Sequence, residues 1–487
     1  MTIQVSAPSF DSVAKLPLIN GELAAVGESS LEVVNPATGE VLGTVYDVGV
    51  DGVDRAVQAA SDARESWGAL SPRDRARYLL RLADVIEAHK NELAAIESLD
   101  VGKPFPLVPY EIDSSVDKYR FFAGSARILS GLAANEYREP YTSFVRRDPV
   151  GVVAALAPWN YPFSLSAWKI APALAAGNTV VLKPSPDTNL STLKLAELAA
   201  GIFPPGVLNI VTGGVEVGKR LSTHPGVDMV SLTGGTATGK SVMNAASTSV
   251  KRLHLELGGN ASVLIFDDAD LDRLRELYFM AAFRNSGQDC HAASRVYAAP
   301  GIVDEVTKVI AEVAAQIKVG DPFDPEVRMG PLVSRAQHDR VAGLLQRAVD
   351  NDGAQIVSEP RALDPHGFYM APTVVRGVAH QSELIQQEIF GPIVTIDTFE
   401  SEEHAVALAN GVSQGLAASV WSGSMDRVFR MSKRLRAGTI WVNSHGATIG
   451  EMPFGGVKES GFGNDLSIYA MEQHTVLKHI AVYVDQA

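Results

Sequence analysis

The sequence predicts an α/β protein built on parallel sheets, and three observations carry that expectation. Short apolar runs alternate with helical stretches through the middle of the chain, which is the pattern of βαβ units. A second alternation of the same kind runs from residues 263–266 to about Asn443. The length, 487 residues, exceeds what one core supports at roughly 100–200 residues per domain.

The first signal along the chain is Asn35-Pro36-Ala37-Thr38-Gly39-Glu40, a turn between two apolar strand-like runs. Residues 51–100 then take a helical period. Ala56, Ala59, Ala60 and Ala63 fall at helical spacing, as do Tyr78, Leu79, Leu82, Ile86 and Leu93. Ser71-Pro72 supplies a helix start with proline at the first helical position. Farther on, residues 152–156, 180–182, 207–211 and 227–232 read as strands. Residues 167–176, 190–202, 215–221 and 239–246 read as the intervening helices. Ligands of such a sheet bind outside the carboxyl ends of its strands. Residues 466–484 are mixed and end in Ile480-Ala481-Val482-Tyr483-Val484. That end fits an edge strand for another subunit and an intramolecular strand equally well.

Composition narrows the function classes. Charged residues at 20% and aromatics at 7% describe an ordinary folded chain. A net charge of −14 argues against nucleic acid or an acidic membrane surface as partner, because both need clustered Lys and Arg. The single cysteine, Cys290, cannot form an intramolecular disulfide. With no secretory pattern in residues 1–15 and no apolar run near the ~20 residues that span a bilayer, a cytoplasmic location is expected. The eleven histidines are scattered, and no spacing reads as a metal site.

Cys290 closes Asn285-Ser286-Gly287-Gln288-Asp289-Cys290. Alone, such a thiol reads as a small buried hydrophobe; its companions reverse that. In Leu255-Glu256-Leu257-Gly258-Gly259 a carboxylate stands between leucines, where an apolar setting raises its pKa toward that of a neutral-pH base. In Pro158-Trp159-Asn160-Tyr161-Pro162 two prolines stiffen a strand end and the Asn160 amide can donate to an oxyanion. Thr233-Gly234-Gly235-Thr236 joins a strand to a helix, whose N-terminal N–H groups attract phosphate. In Lys183-Pro184-Ser185 a strand-end lysine can bond ribose hydroxyls.

With these motifs in order, the sequence closely resembles the aldehyde dehydrogenase superfamily over nearly its whole length. Further markers are Gly287-Gln288-Asp289-Cys290, Glu388-Ile389-Phe390-Gly391-Pro392 and Pro453-Phe454-Gly455-Gly456. The resemblance implies a Rossmann-like dinucleotide-binding domain (residues 1–124 and 149–256), an α/β catalytic domain (257–462) and a small β oligomerisation extension (125–148 and 463–487). It implies a homo-oligomer, either dimer or tetramer. It makes Cys290 the nucleophile, Glu256 the base that activates water, and Asn160 with the Cys290 N–H the oxyanion hole. Trp159, Lys183, Ser185, Thr233, Gly234, Gly235, Leu257, Glu388 and Phe390 would contact NAD. The chemistry is coherent with this. Thiolate addition turns an electron-poor carbonyl carbon into an alkoxide that can release hydride, and the thioester left behind needs an activated water.

Departures shape the finer expectations. Many NAD-preferring relatives carry Glu after Lys-Pro-Ser; here the position is Pro186, which removes a charge that repels a 2′-phosphate, so NADP use is compatible. Gly235 stands where Ser is common, and Asn260 where Lys is. Asp289 before the nucleophile disfavours a carboxylate-bearing aldehyde and favours a cationic one. Asp117, Tyr161, Glu451 and Phe454 are expected at the substrate site with it. Arg120 to Arg127, Gly287-Gln288-Asp289-Cys290 and Glu451-Met452-Pro453 look like the 4-aminobutyraldehyde dehydrogenases. The expected reaction is therefore NAD(P)-dependent oxidation of an aminoaldehyde such as 4-aminobutanal. Betaine-aldehyde, aromatic and succinic-semialdehyde oxidation are alternatives. A cofactor-independent esterase, a CoA-acylating enzyme or a catalytically silent relative would belong to other classes.

Overall fold

In a computed structural model covering residues 6–27 and 29–484, the two α/β series become two sheets flanked by helices. Residues 1–5 of the N-terminal stretch and 485–487 of the expected extension lie outside the described residues. The first sheet runs in the order Gly461–Phe462, Arg252–Leu257, Met229–Gly234, Val152–Leu156, Thr179–Lys183, Leu208–Ile210, Leu18–Ile19, Glu22–Leu23. Its five central strands are parallel and its edges antiparallel. The central strands are almost wholly buried, as expected where helices cover both faces.

Chain order explains where a ligand goes. From Val152–Leu156 the chain steps outward through Thr179–Lys183 and Leu208–Ile210, then returns to add Met229–Gly234 on the other side. The crevice of a doubly wound sheet opens at that reversal, beyond the carboxyl ends of the two strands. Leu156 there leads into Pro158-Trp159-Asn160, and Gly234 leads into the helix Thr236–Ser247.

Local signals fix the helix boundaries. Ser71 caps Pro72–Ala88, its hydroxyl accepting from the Asp74 N–H at 3.2 Å, with Pro72 at the first position. Gly102, at φ 83°, ends Lys90–Val101 in the left-handed region. The helix expected at 167–176 begins earlier, as Pro162–Ala175, because Pro162 also sits at a helix start.

The second sheet has the order Gln355–Ile356, Thr373–Arg376, Ile393–Thr398, Arg295–Ala298, Ser262–Ile265, Ala417–Trp421, Thr439–Val442, and only its first pair is antiparallel. A third sheet joins Thr475–Tyr483, Tyr141–Pro149 and Asn135–Arg138. The apolar tail thus pairs within its own chain, Ile480 opposite Phe144 and Tyr483 opposite Tyr141. Val476, Leu477, Val482 and Tyr483 on that strand remain exposed. Not all of residues 463–487 belong to this ribbon: Ala470 and Met471, on the helix Ser467–Gln473, are buried in the main core with Phe122, Phe163 and Leu174.

That return of the chain is locked by charge. Lys169, with no exposed side chain, donates to Asp465 at 2.7 Å, and Asp465 is 2% exposed. Removing one member of a buried ion pair leaves the other uncompensated. Lys169→Met is expected to lower stability by ~3–5 kcal/mol, measured by chemical denaturation; a change below about 1 kcal/mol would mean that the pair does not hold the C-terminal segment.

Candidate active site

Cys290 sits where two cavities meet. One, of about 220 Å³, lies at the strand reversal and is lined by Trp159, Asn160, Thr233, Gly234, Gly235, Glu256, Leu257, Arg340, Glu388 and Phe390. The other, of about 370 Å³, is a tunnel lined by Glu111, Tyr161, Trp168, Arg284, Asp289, His291, His445 and residues 446–449. Cys290 and Leu165 belong to both.

The loop carrying the thiol is held in an unusual conformation. Asn285 and Ser286 have φ of 50° and 57°, a left-handed region that costs a non-glycine residue roughly 1–2 kcal/mol. Side chains compensate: Asn285 donates to the carbonyls of Asn160 and Gln288 at 2.9 and 3.1 Å, and Ser286 to that of Gly330 at 2.8 Å. Gln288 accepts from the Val333 N–H at 2.9 Å. Glycine is required at 259, where a Cβ would lie 2.0 Å from the Cys290 carbonyl oxygen. The Asn160 amide donates to the Gln288 carbonyl at 3.1 Å, which aims it along the loop. Among the described residues the Cys290 backbone N–H has no acceptor, so both donors expected of an oxyanion hole border the thiol.

Glu256 lies 1% exposed, and among the described residues neither of its carboxylate oxygens has a hydrogen-bond partner. Burial pushes its pKa up to about 8, against the pull of the Lys169 cation. Burial, with Glu256, Asp289 and Glu388 nearby, likewise holds the Cys290 thiol well above its usual value. A thiol in that state waits for a proton acceptor.

The residues around this cavity are of the kinds that suit a dinucleotide. Gly234 and Gly235 in its lining lead into Thr236–Ser247, a 12-residue helix whose first N–H groups lack intrahelical acceptors. Glu388 enters only because residue 258 is glycine: a Cβ there would lie 2.0 Å from its Oε2. Its Oε1 accepts from the Gly259 N–H at 2.9 Å. Phe390, at φ 53°, packs edge-on against Trp159 with centroids 5.0 Å apart. Lys183 and Ser185 are buried beside this cavity without lining it. Burial lowers Lys183 to about 8, and its ammonium donates to the Pro184 carbonyl at 2.9 Å.

The expected substrate residues divide. Tyr161 and Asp289 line the tunnel. Phe454 stands one layer behind, against Trp168 and His291. Asp117 does not reach the tunnel: it is 68% exposed, on the solvent face of Val108–Ser125, whose inner face presents Glu111 and Ser114 instead. Glu451 is exposed and does not line it either. The charge expected of Asp289 is also matched. His291 lies 2.8 Å away, Arg284 donates at 3.2 Å and the Tyr161 hydroxyl at 2.8 Å. Burial alone would raise the Asp289 carboxyl; these three partners hold it well below the usual range. Glu111 pairs with Lys103, which also sits 3.9 Å from the Tyr161 ring. Arg284, His291 and His445 were not singled out from the sequence; the position of Arg284, six residues before the nucleophile on the same loop, was the available signal.

Fold and site together place a lone thiol beside the crevice at the reversal of a doubly wound sheet. The chain belongs to the aldehyde dehydrogenase family, whose model matches residues 24–480. It resembles a betaine aldehyde dehydrogenase from Staphylococcus aureus solved with NAD+, at 34% identity and TM-score 0.94, covering 97% of this chain and 95% of that one. An aldehyde dehydrogenase from Bacillus cereus matches at 37% identity and TM-score 0.94, covering 97% of both chains. A Burkholderia cenocepacia chain assigned as an aldehyde dehydrogenase matches at 38% identity and TM-score 0.95, covering 97% and 98%.

A Glu256 that activates water would act in its carboxylate form, and burial favours the neutral acid, so turnover is expected to rise with pH through a midpoint near 8. Glu256→Gln is expected to remove that rise and to lower kcat by ~10²–10⁴-fold in a steady-state pH profile. An unchanged profile would assign water activation to another group.

Proposed function

We propose that this enzyme oxidises an aldehyde to a carboxylic acid with NAD, through a thioester on Cys290, and that Cys290 and Glu256 share one water-poor junction for that purpose. The position of the thiol, between the crevice at the strand reversal and a separate tunnel, carries this reading. Glu388 and Lys183 would hold the ribose hydroxyls, the N-terminus of Thr236–Ser247 the phosphates, and Phe390 would border the nicotinamide. When bound, NAD supplies the acceptor for the hydride that leaves the substrate carbon.

The residues of the chain do the rest. The Cys290 proton leaves to solvent through the tunnel, the sulfur bonds the aldehyde carbon entering there, and the carbonyl electron pair moves onto oxygen. The Cys290 N–H and the Asn160 amide stabilise that oxygen. After oxidation the carbon is a thioester. Glu256 takes a proton from water, the hydroxyl adds to the acyl carbon, and the C–S bond breaks to return the thiolate and release the acid. Asn160→Ala is expected to lower kcat ~10²–10³-fold with NAD binding retained, in steady-state kinetics and a cofactor titration.

The tunnel supports an aldehyde without net positive charge at its far end. Asp289 is matched by Arg284, whose Nη1 has no acceptor among the described residues, while Lys103 is shared between Glu111 and the buried Glu97. The aminoaldehyde reading from Asp289 therefore loses its uncompensated charge. Acidic Glu111 and Asp289 in the tunnel wall are what still favour it as a second reading. Comparing kcat/KM for 4-aminobutanal, pentanal and succinic semialdehyde separates the two. The neutral or acidic aldehyde should lead by at least tenfold, and Arg284→Met should narrow that gap. A lead for 4-aminobutanal would restore the aminoaldehyde reading. The Pro186 position supports measurable turnover with NADP in the same assay.

A further inference from the structure

Three consecutive residues converge on one point at the junction of the cavities. Cys290 Sγ lies 3.7 Å from His291 Nδ1 and 3.9 Å from Asp289 Oδ1, and Nδ1 and Oδ1 are 2.8 Å apart. A tetrahedral zinc ion with Zn–S near 2.3 Å and Zn–N or Zn–O near 2.0–2.2 Å has ligand–ligand edges of roughly 3.3–3.6 Å. The three atoms thus stand close to one face of such a tetrahedron. From this geometry we propose that Asp289, Cys290 and His291 bind a thiophilic divalent cation of the zinc type, and that its occupancy reversibly silences the nucleophile.

The surroundings are those of a built site. The second oxygen of Asp289 accepts from Tyr161 at 2.8 Å and from Arg284 at 3.2 Å, which turns Oδ1 toward the thiol. The His291 ring is held by Trp441 at 5.4 Å and Phe454 at 5.7 Å between centroids, and its carbonyl accepts from His445 at 2.6 Å. The tunnel supplies the entry path and leaves the fourth position to water. The donor set of one thiolate, one imidazole and one carboxylate suits zinc rather than magnesium or calcium. Binding forms S–M, N–M and O–M bonds; the thiol proton leaves to solvent and the imidazole binds through Nδ1 with its proton on Nε2, with no change of oxidation state. A sulfur bonded to the cation cannot add to an aldehyde.

The inhibitory role rests on the assignment of Cys290 as the nucleophile; the binding does not. The direct probe is Co²⁺ added to the intact, metal-stripped enzyme, read by absorbance for a thiolate-to-cobalt band, with Zn²⁺ binding measured in parallel by calorimetry. One cation per chain is expected, with the band lost in Cys290→Ser and affinity lowered at least tenfold in His291→Ala. Activity lost with Zn²⁺ should return on adding a chelator. His366→Ala, at an exposed histidine remote from both cavities, should bind like the parent. Circular dichroism and NAD binding check that the variants fold. No band in the parent, or a band that persists in Cys290→Ser, would overturn the site. A band in an enzyme that oxidises no aldehyde would keep the site and refute the functional reading instead.

Discussion

The desolvation of Glu256 is the constraint on which the rest of the structure depends. A carboxylate with both oxygens buried and, among the described residues, without a hydrogen-bond partner is costly, and it persists only because the surrounding fold fixes it there. The central strand Arg252–Leu257 carries it to the strand reversal, and the neighbouring glycines let other chain segments close over it. Lys169 and Asp465 lie just behind. They tie the returning C-terminal segment to the helix Pro162–Ala175 and set the local field. The same dryness keeps Cys290 in its thiol form until an acceptor is ready.

Much of this was legible in the sequence for identifiable reasons. The middle strands are continuous apolar runs between Gly and Pro signals, so their parallel sheet could be read directly. Cys290, Glu256 and Asn160 each stand in an atypical local setting: a lone thiol after a glycine turn, an acid between leucines, an amide between prolines. Their meeting could not be read from periodicity, because Asn160 and Gln288 are 128 residues apart and are joined in the fold by the Asn160 amide on the Gln288 carbonyl and by the Asn285 amide on the Asn160 carbonyl. Resemblance to a family supplied that link.

The failures have equally concrete causes. Asp117 and Glu111 share one helix, and spacing alone does not say which face looks inward; the buried face turned out to carry Glu111. The charge of Asp289 was visible in the sequence, but its partners were not. Arg284 neutralises it across a kinked loop whose left-handed residues, Asn285 and Ser286, give no turn signal of the Asn-Gly type. The metal-type cluster at 289–291 escaped because adjacent residues in helix or strand point apart, and only this irregular turn gathers them.

The account stands or falls on a covalent bond to sulfur. Mixing the Glu256→Gln enzyme with NAD and an aldehyde, quenching with acid, and weighing the protein and its peptides by mass spectrometry would test this most directly. The account predicts an acyl group of the aldehyde's mass, less one hydrogen at the carbonyl, on the peptide bearing Cys290. Unmodified Cys290 under conditions where reduced NAD is formed, or an acyl group on any other residue, would contradict it.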